Sequence, residues 1–384
     1  VRYSTAGDTA LINAQPLLVK TSRGSISIAH NGNITNIASL RKSLEKNGAI
    51  FQTNSDSEVI LHLVARSKKE SLTQALQDAL QSVEGAYSLL VGSKDELIAI
   101  RDPHGIRPLV MGNIGDATVF ASETCAFDLI DAEYEREVNP GEMIRVNAQG
   151  RSSVQYAQVT NLKKCIFEYI YFARPDSMVF NNSVYLIRRE MGRRLAREAC
   201  PDADFVMPVP DSATVAAIGF AEEAGIPYEM GFIRSHYIGR TFIEPDQSIR
   251  DFGAKIKYNP IKEALRNKKI ALIDDSIVRG TTSLKLIRML RQAGVREIHL
   301  RIGSPPITHS CYYGIDTPTR KELIASKKQV SQIKEYLGID SLHYLSLQGL
   351  VKATGMPESD FCVACFTGKY PIACSENSTR RCSC

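Results

Sequence analysis

The run Lys268–Ile302, KKIALIDDSIVRGTTSLKLIRMLRQAGVREIHLRI, constrains this chain more than any other part of it. Ile270 to Ile273 is a short apolar run of the kind a parallel sheet buries on both faces. It stops at two adjacent carboxylates, Asp274 and Asp275. The loop Ser276 to Ser283 then opens a helix that turns Leu284, Ile287, Met289 and Leu290 toward a core and ends at Gly294. A second strand follows at Glu297 to Ile302, so the unit reads as strand, helix, strand.

A loop of small and hydroxylated residues at a helix N-terminus is a place for phosphate, because free backbone N–H groups and the positive end of the helix dipole converge there. Gly280 lets the backbone approach closely, and Thr281, Thr282 and Ser283 add hydroxyl donors. The two aspartates stand just outside a strand's carboxyl end, where open α/β sheets bind ligands. A sugar phosphate fits, with phosphate on the loop and ribose hydroxyls or Mg²⁺ on carboxylates expected to be open to solvent. Neither G-x-G-x-x-G nor GK[ST] occurs in the run. The competing reading is a plain turn capped by Asp275 or Ser276. An acidic pair, a glycine and a Thr-Thr-Ser run together favour phosphate.

The run resembles the phosphoribosyl pyrophosphate (PRPP) loop of type I phosphoribosyltransferases. Within them, DDSIVRGTTS is similar to the loop of the amidophosphoribosyltransferases, which join glutamine nitrogen to PRPP at the first committed step of purine synthesis. The resemblance implies Asp274 and Asp275 on the ribose and Mg²⁺, and Arg279, Gly280, Thr281, Thr282 and Ser283 on the 5-phosphate.

A chain of 384 residues is long for a single core, so two domains are expected. Its net charge of +5 is too modest to argue for nucleic acid, and anionic small substrates account for it. No apolar run approaches the roughly 18 residues of a membrane span. Nine cysteines in a chain of this size point to a reducing setting, with some thiols available to a metal. The chain opens Val1-Arg2-Tyr3 with no methionine, which reads as a fragment or an incomplete gene product.

Residues 1–157 read as α+β. Ser25 to His30 alternates as a strand, helices follow at 37–47, 56–68 and 71–83, and short strands fill the rest. Asn31-Gly32 after that strand is a strong hairpin signal, Asp56 suits a helix cap, and Arg2 a solvated charge. Together these residues resemble the glutaminase domain of amidotransferases with an N-terminal cysteine nucleophile. By that resemblance Arg2 grips the glutamine α-carboxylate and Asp56 the α-amino group, while the Asn31 amide and Gly32 N–H form the oxyanion hole. Val1 is not a cysteine, so the chain as given is expected to use ammonia rather than glutamine.

Cys165 to Ser177 is aromatic-rich and ends in a turn, a candidate hinge between domains. Beyond it, a helix at Val184 to Ala199, strands at 204–209 and 228–233 and a helix at Thr214 to Ala224 repeat the pattern of a parallel sheet. Pro210-Asp211-Ser212-Ala213 matches the family's pyrophosphate loop, which implies Ser212 at the Mg²⁺; helix capping is the alternative. Arg240 to Pro260 has no clean period and carries Arg240, Arg250, Lys255 and Lys257, a cationic lid or a solvated loop. The family's flexible catalytic loop at this place favours the lid, with Lys257 catalytic.

Cys362-Val363-Ala364-Cys365 alone is a zinc half-site, a redox motif or chance. One branch of the family holds a four-iron, four-sulfur cluster, and its ligands match Cys165, Cys311, Cys362 and Cys365. The tail from Ile372 to Cys384 departs from the family.

The expected fold is therefore α+β followed by α/β. An N-terminally incomplete αββα glutaminase domain (1–157) precedes a type I phosphoribosyltransferase domain with a mainly parallel sheet and a C-terminal iron–sulfur segment (158–384). The resemblance further implies feedback by purine nucleotides, a homo-oligomer such as a tetramer, a cytoplasmic or plastid location, and no partnership with nucleic acid or membrane. The rival is a regulator of the same fold that binds PRPP without turning it over.

Overall fold

The computed structural model describes residues 11–159, 161–234 and 258–373. In the first half, six antiparallel strands form one sheet, ordered Leu17–Thr21, Gly24–Ile34, Gly85–Gly92, Glu96–Arg101, Glu142–Asn147 and Gly150–Gln155. The two-residue period of a strand decides its faces. Ile98 and Ile100 pack with Ile60, Val64 and Leu76 of the helices Ser57–Arg66 and Leu72–Leu80. Ala99, between them, meets Met111 and Ile144 on the other side. Met111 belongs to a three-stranded antiparallel sheet, Ala117–Ala121, Val110–Ile114 and Glu133–Glu137 in spatial order. The layers thus run helix, sheet, sheet.

Asn31-Gly32 does not turn a hairpin. The strand continues through it to Ile34, pairing Asn31 with Ser88 and Gly32 with Tyr87. Glycine is needed for close approach: at φ 151°, a Cβ at position 32 would collide with the Ala86 carbonyl.

The second half is built on four parallel strands, Phe205–Pro208, Lys269–Asp274, Glu297–Ile302 and Ser341–Tyr344 in that order. Ala271 and Ile273 face the helices Val184–Ala199 and Thr214–Ala224 through Met191, Leu195, Ala217 and Phe220. Ile270 and Leu272 face the helices Thr281–Gln292 and Val330–Leu337 through Leu286, Leu290 and Ile333. This is a doubly covered sheet, which explains why its strands are apolar without alternation. The strand expected over 228–233 is not a member of it. Tyr228 only bridges Val206, and Phe232–Arg234 pairs antiparallel with Tyr258–Pro260 instead.

The segment expected to be a hinge is core. Cys165, Ile166, Phe167, Glu168, Tyr169 and Ile170 are all buried, the last three in a single helical turn, Glu168–Phe172. Lys164–Cys165 pairs in parallel with Phe361–Cys362. The Lys163 and Cys165 N–H groups donate to the carbonyls of His104 and Ile106 (2.8 and 3.0 Å), tying the two halves together.

A second tie joins the Asn31-Gly32 strand to the loop after Cys311. The Asn33 amide donates to the Tyr312 carbonyl (3.0 Å). Gly314 holds φ 106°, and a Cβ on it would stand 2.9 Å from the Gly32 Cα. Gly314→Ala should therefore lower stability by about 1–3 kcal/mol, the usual cost of forcing a side chain into this backbone region. Urea unfolding measures it, and an unchanged midpoint would show that the two backbones part without cost.

Candidate functional site

The strand Lys269–Asp274 delivers its two carboxylates to the carboxyl edge of the parallel sheet. The Asp275 N–H donates to Asp274 Oδ1 (2.9 Å). Asp275 Oδ1 accepts from Ser212 Oγ (2.5 Å) and its Oδ2 from Ser276 Oγ (2.8 Å). Ser212 and Asp275 are thus in direct contact, although 63 positions apart. The loop that brings Ser212 there also carries Asp211, which pairs with Arg234.

The pair is less open than expected: Asp274 is only 8% exposed and Asp275 is half-buried. The reason is the strand, which runs one residue further than its apolar stretch and takes Asp274 into the sheet. Burial pushes the Asp274 carboxyl well above the usual carboxylate range, and the neighbouring Asp275 charge adds to it. Burial also raises Asp275, tempered by the hydroxyls of Ser212 and Ser276 and by the charge of Arg188. Such a pair calls for a cation.

The helix Thr281–Gln292 starts at Gly280 (φ 76°), which has no side chain to cap the first N–H groups. Those donors are what an incoming phosphate would use. A Cβ at Gly280 would approach Ile324 Cδ1 to 2.8 Å, so glycine keeps the turn tight. Thr281 and Thr282 are exposed, whereas Ser283 is buried. Arg279 is exposed and pairs with Glu322 (3.1 Å).

Sequence reasoning passed over Arg188 and Tyr344. Arg188 is 3% exposed, and its guanidinium donates to the carbonyls of Tyr169 (2.7 Å) and Ala173 (2.8 Å). Its signal was legible: it sits in the apolar stripe formed by Val184, Ile187, Met191 and Leu195. Tyr344 ends its strand with a buried hydroxyl that has no hydrogen-bond partner among the described residues. Burial and the nearby Asp274 push its pKa up.

In the first half, the Asn31 amide donates to Ser122 Oγ (3.3 Å). Asp56 is fully buried and does not cap its helix. Its Oδ2 accepts from the Ile34 N–H (3.0 Å), and its Oδ1 lies 3.5 Å from His30 Nδ1. The structure therefore holds Asp56 against the strand that bears Asn31 and Gly32. Arg2, Arg240, Arg250, Lys255 and Lys257 lie outside the described residues, as do the tail cysteines.

Cys165, Cys311, Cys362 and Cys365 line one cavity, together with Ile106 of the first half and Tyr313. Cys165, Cys311 and Cys365 carry free thiols, which burial pushes up, Cys165 and Cys365 most of all. The Tyr313 N–H donates to Cys311 Sγ (3.3 Å). Among the described residues, no three His, Cys, Asp or Glu side chains form a group for a metal ion, so the cysteines stand around a space rather than a point.

Comparison with known proteins bears on both halves. A family described as a glutamine amidotransferase domain matches residues 3–128. The chain is 52% identical over 382 residues to amidophosphoribosyltransferase 2, chloroplastic, of Arabidopsis thaliana, a match covering 99% of this chain and 68% of that one. It is 48% identical over 376 residues to the amidophosphoribosyltransferase of Bacillus subtilis (strain 168), covering 97% and 79%. A glutamine PRPP amidotransferase from B. subtilis, solved in complex with ADP and GMP, superposes with a TM-score of 0.91 at 46% identity, covering 97% of this chain and 83% of that one. The identity runs through both the N-terminal sheets and the acid-to-hydroxyl loop of the parallel sheet, and the chain belongs to the amidophosphoribosyltransferase family.

Proposed function

We propose that the chain joins ammonia derived from glutamine to PRPP, giving 5-phosphoribosylamine, pyrophosphate and glutamate, the first committed step of purine biosynthesis. The observation that carries this reading is the Asp274–Asp275 pair, bonded to Ser212 and followed by an uncapped helix N-terminus. One end binds a phosphate and the other holds a ribose. Ammonia brings its own lone pair, so the site needs little base chemistry. Nitrogen bonds to the ribose C1 as the C1–O bond to pyrophosphate breaks, that electron pair leaves with pyrophosphate, and nitrogen gives up its extra proton to water. The protein's part is to hold the sugar in line and to stabilise charge at both ends.

Gly280 to Ser283 supply N–H and hydroxyl donors to the 5-phosphate, and Asp274 and Asp275 accept from the ribose hydroxyls. Oxygen ligands from Ser212, Asp274 and Asp275 suit Mg²⁺, which would neutralise the leaving pyrophosphate. We assign Arg240 and Lys257 to the same pyrophosphate. Their segment departs at Arg234 and returns at Tyr258, residues paired in one ladder, and Arg234 also bonds Asp211. In the first half, divided from the second near residue 157, we assign the Asn31 amide and Gly32 N–H to the glutamine oxyanion. Asp56 and Arg2 take the amino acid's charged ends.

A four-iron, four-sulfur group on Cys165, Cys311, Cys362 and Cys365 completes the reading. Four thiols around one cavity are the donor set it needs, and metal binding would replace the protons that burial holds on Cys165, Cys311 and Cys365. A B. subtilis relative is described as complexed with ADP and GMP; accordingly we assign purine nucleotides as inhibitors, and from the family resemblance alone a homotetramer as the assembly.

The test is pyrophosphate release from PRPP and Mg²⁺ with ammonium chloride at alkaline pH, where free ammonia exists. Turnover that depends on ammonia is the expected result. Binding of PRPP with no turnover would make the chain a regulator of the same fold.

A further inference from the structure

The cysteine cavity has a neighbour that neither its ligand set nor the PRPP site uses. Arg107 belongs to the first half of the chain, between the strands Glu96–Arg101 and Val110–Ile114, yet its guanidinium reaches into the second. It is 5% exposed. Its Nη1 stands 3.0 Å from Glu168 Oε1, and its Cζ lies 5.2 Å from the Phe172 ring centre. The ion pair is short but badly angled, and among the described residues Nη1, Nε and Glu168 Oε1 are buried with no hydrogen-bond partner. After Glu168, the groups whose charge acts most on the guanidinium are the sulfurs of Cys165 and Cys311.

A buried guanidinium with unused donors is costly unless something accepts them. One poorly aligned carboxylate does not. Its chain neighbour Ile106 lines the cavity with Cys165 and Cys311, and the Ile106 carbonyl accepts from the Cys165 N–H (3.0 Å). We propose that Arg107 is a positioning residue for the iron–sulfur group, a permanent cation that one half of the chain sets beside the Cys165 and Cys311 sulfurs held by the other. This rests on the cluster reading above. Four thiolates and their cluster carry net negative charge in a dry site. Charge and hydrogen bonds at the sulfurs set both the reduction potential and the hold on the metal. Arg107 offsets that charge and donates to sulfur, and Glu168 keeps it in place.

The experiment compares full-length wild type with R107M and R107K, all purified anaerobically. The readouts are iron content, midpoint potential by redox titration of the visible spectrum, and the rate of iron loss to a chelator. R107M should show a more negative potential and lose iron about tenfold faster or more, the usual penalty for removing a group that supports a metal ligand. R107K, which keeps charge without the planar fork, should fall between them. A merely structural ion pair would leave the potential unmoved. If R107M does not fold, Glu168→Gln serves instead, since it frees Arg107 of its counter-charge and should move the potential the opposite way. Wild-type potential and iron loss in these variants would overturn the role of Arg107. Wild-type protein without an iron–sulfur spectrum would overturn the cluster reading beneath it, and the two failures are distinct.

Discussion

Replacing Asp274 by Asn should lower turnover with PRPP by about 10²–10³-fold, the scale for removing one stabilising group from such a site, and at the same time make the ligand-free protein more stable. The substitution keeps an oxygen to accept the Asp275 N–H, so the local bond survives. It removes one of two adjacent carboxylates, both of which burial pushes up. An acid whose pKa is raised on folding binds its proton more tightly in the folded state. The folded protein therefore loses stability as pH rises from the unfolded carboxylate value, about 3.9, through the raised folded value. Thermal unfolding without Mg²⁺ should show wild type and D274N converging at low pH and separating toward neutrality, with D274N the higher. Added Mg²⁺ should recover wild type far more than the variant. Unchanged turnover would return Asp274 to a capping role, and a variant less stable at every pH would show that the pair is not held against its own charge.

Cys365→Ser should cost colour, iron and fold together. Backbone contacts at this position do not depend on sulfur: the Cys365 carbonyl accepts from the Thr308 and His309 N–H groups whatever the side chain. What serine removes is one thiolate of four around the cavity. Because binding energy at a structural metal is largely folding energy, C365S should melt where chelator-treated wild type melts, well below the loaded protein. Cys200, exposed and far from the cavity lining, supplies the control, and C200S should be indistinguishable from wild type. A C365S protein that keeps its iron–sulfur spectrum would remove Cys365 from the ligand set.

What could be read from residues alone was what local chemistry fixes. The strand Glu297–Ile302 and the helix Thr214–Ala224 lie where their apolar spacing and terminal residues put them. Gly150–Gln155 could not be seen, because all six of its residues are exposed and nothing alternates. Glu133–Glu137, with the sequence EYERE, hides because its one buried residue is a glutamate. Asn31-Gly32 misled because a glycine demanded by a neighbouring carbonyl looks, from sequence, like one demanded by a turn. The acidic pair was legible as a site but not as a buried one, since whether a strand ends before or after Asp274 is decided by its neighbours in the sheet. The cysteines came together in the reading only by resemblance. Their spacing carries no signal, and only the pairing of Cys165 with Cys362 shows why distant thiols share a wall.

That pairing also sets an order of events during synthesis. The strand at Lys164–Cys165 has no partner until Phe361–Cys362 has been made. The sheets of the first half can assemble long before, since domains made earlier generally fold earlier. Throughout that interval the ribosome holds a nascent chain whose Cys165 and Ile106 still lack the Cys362–Cys365 wall of their cavity, and whose thiols have not met. Contacts this far apart in sequence form slowly. The interval is therefore when the polypeptide most needs a chaperone, and a pause in translation before Phe361 would lengthen it.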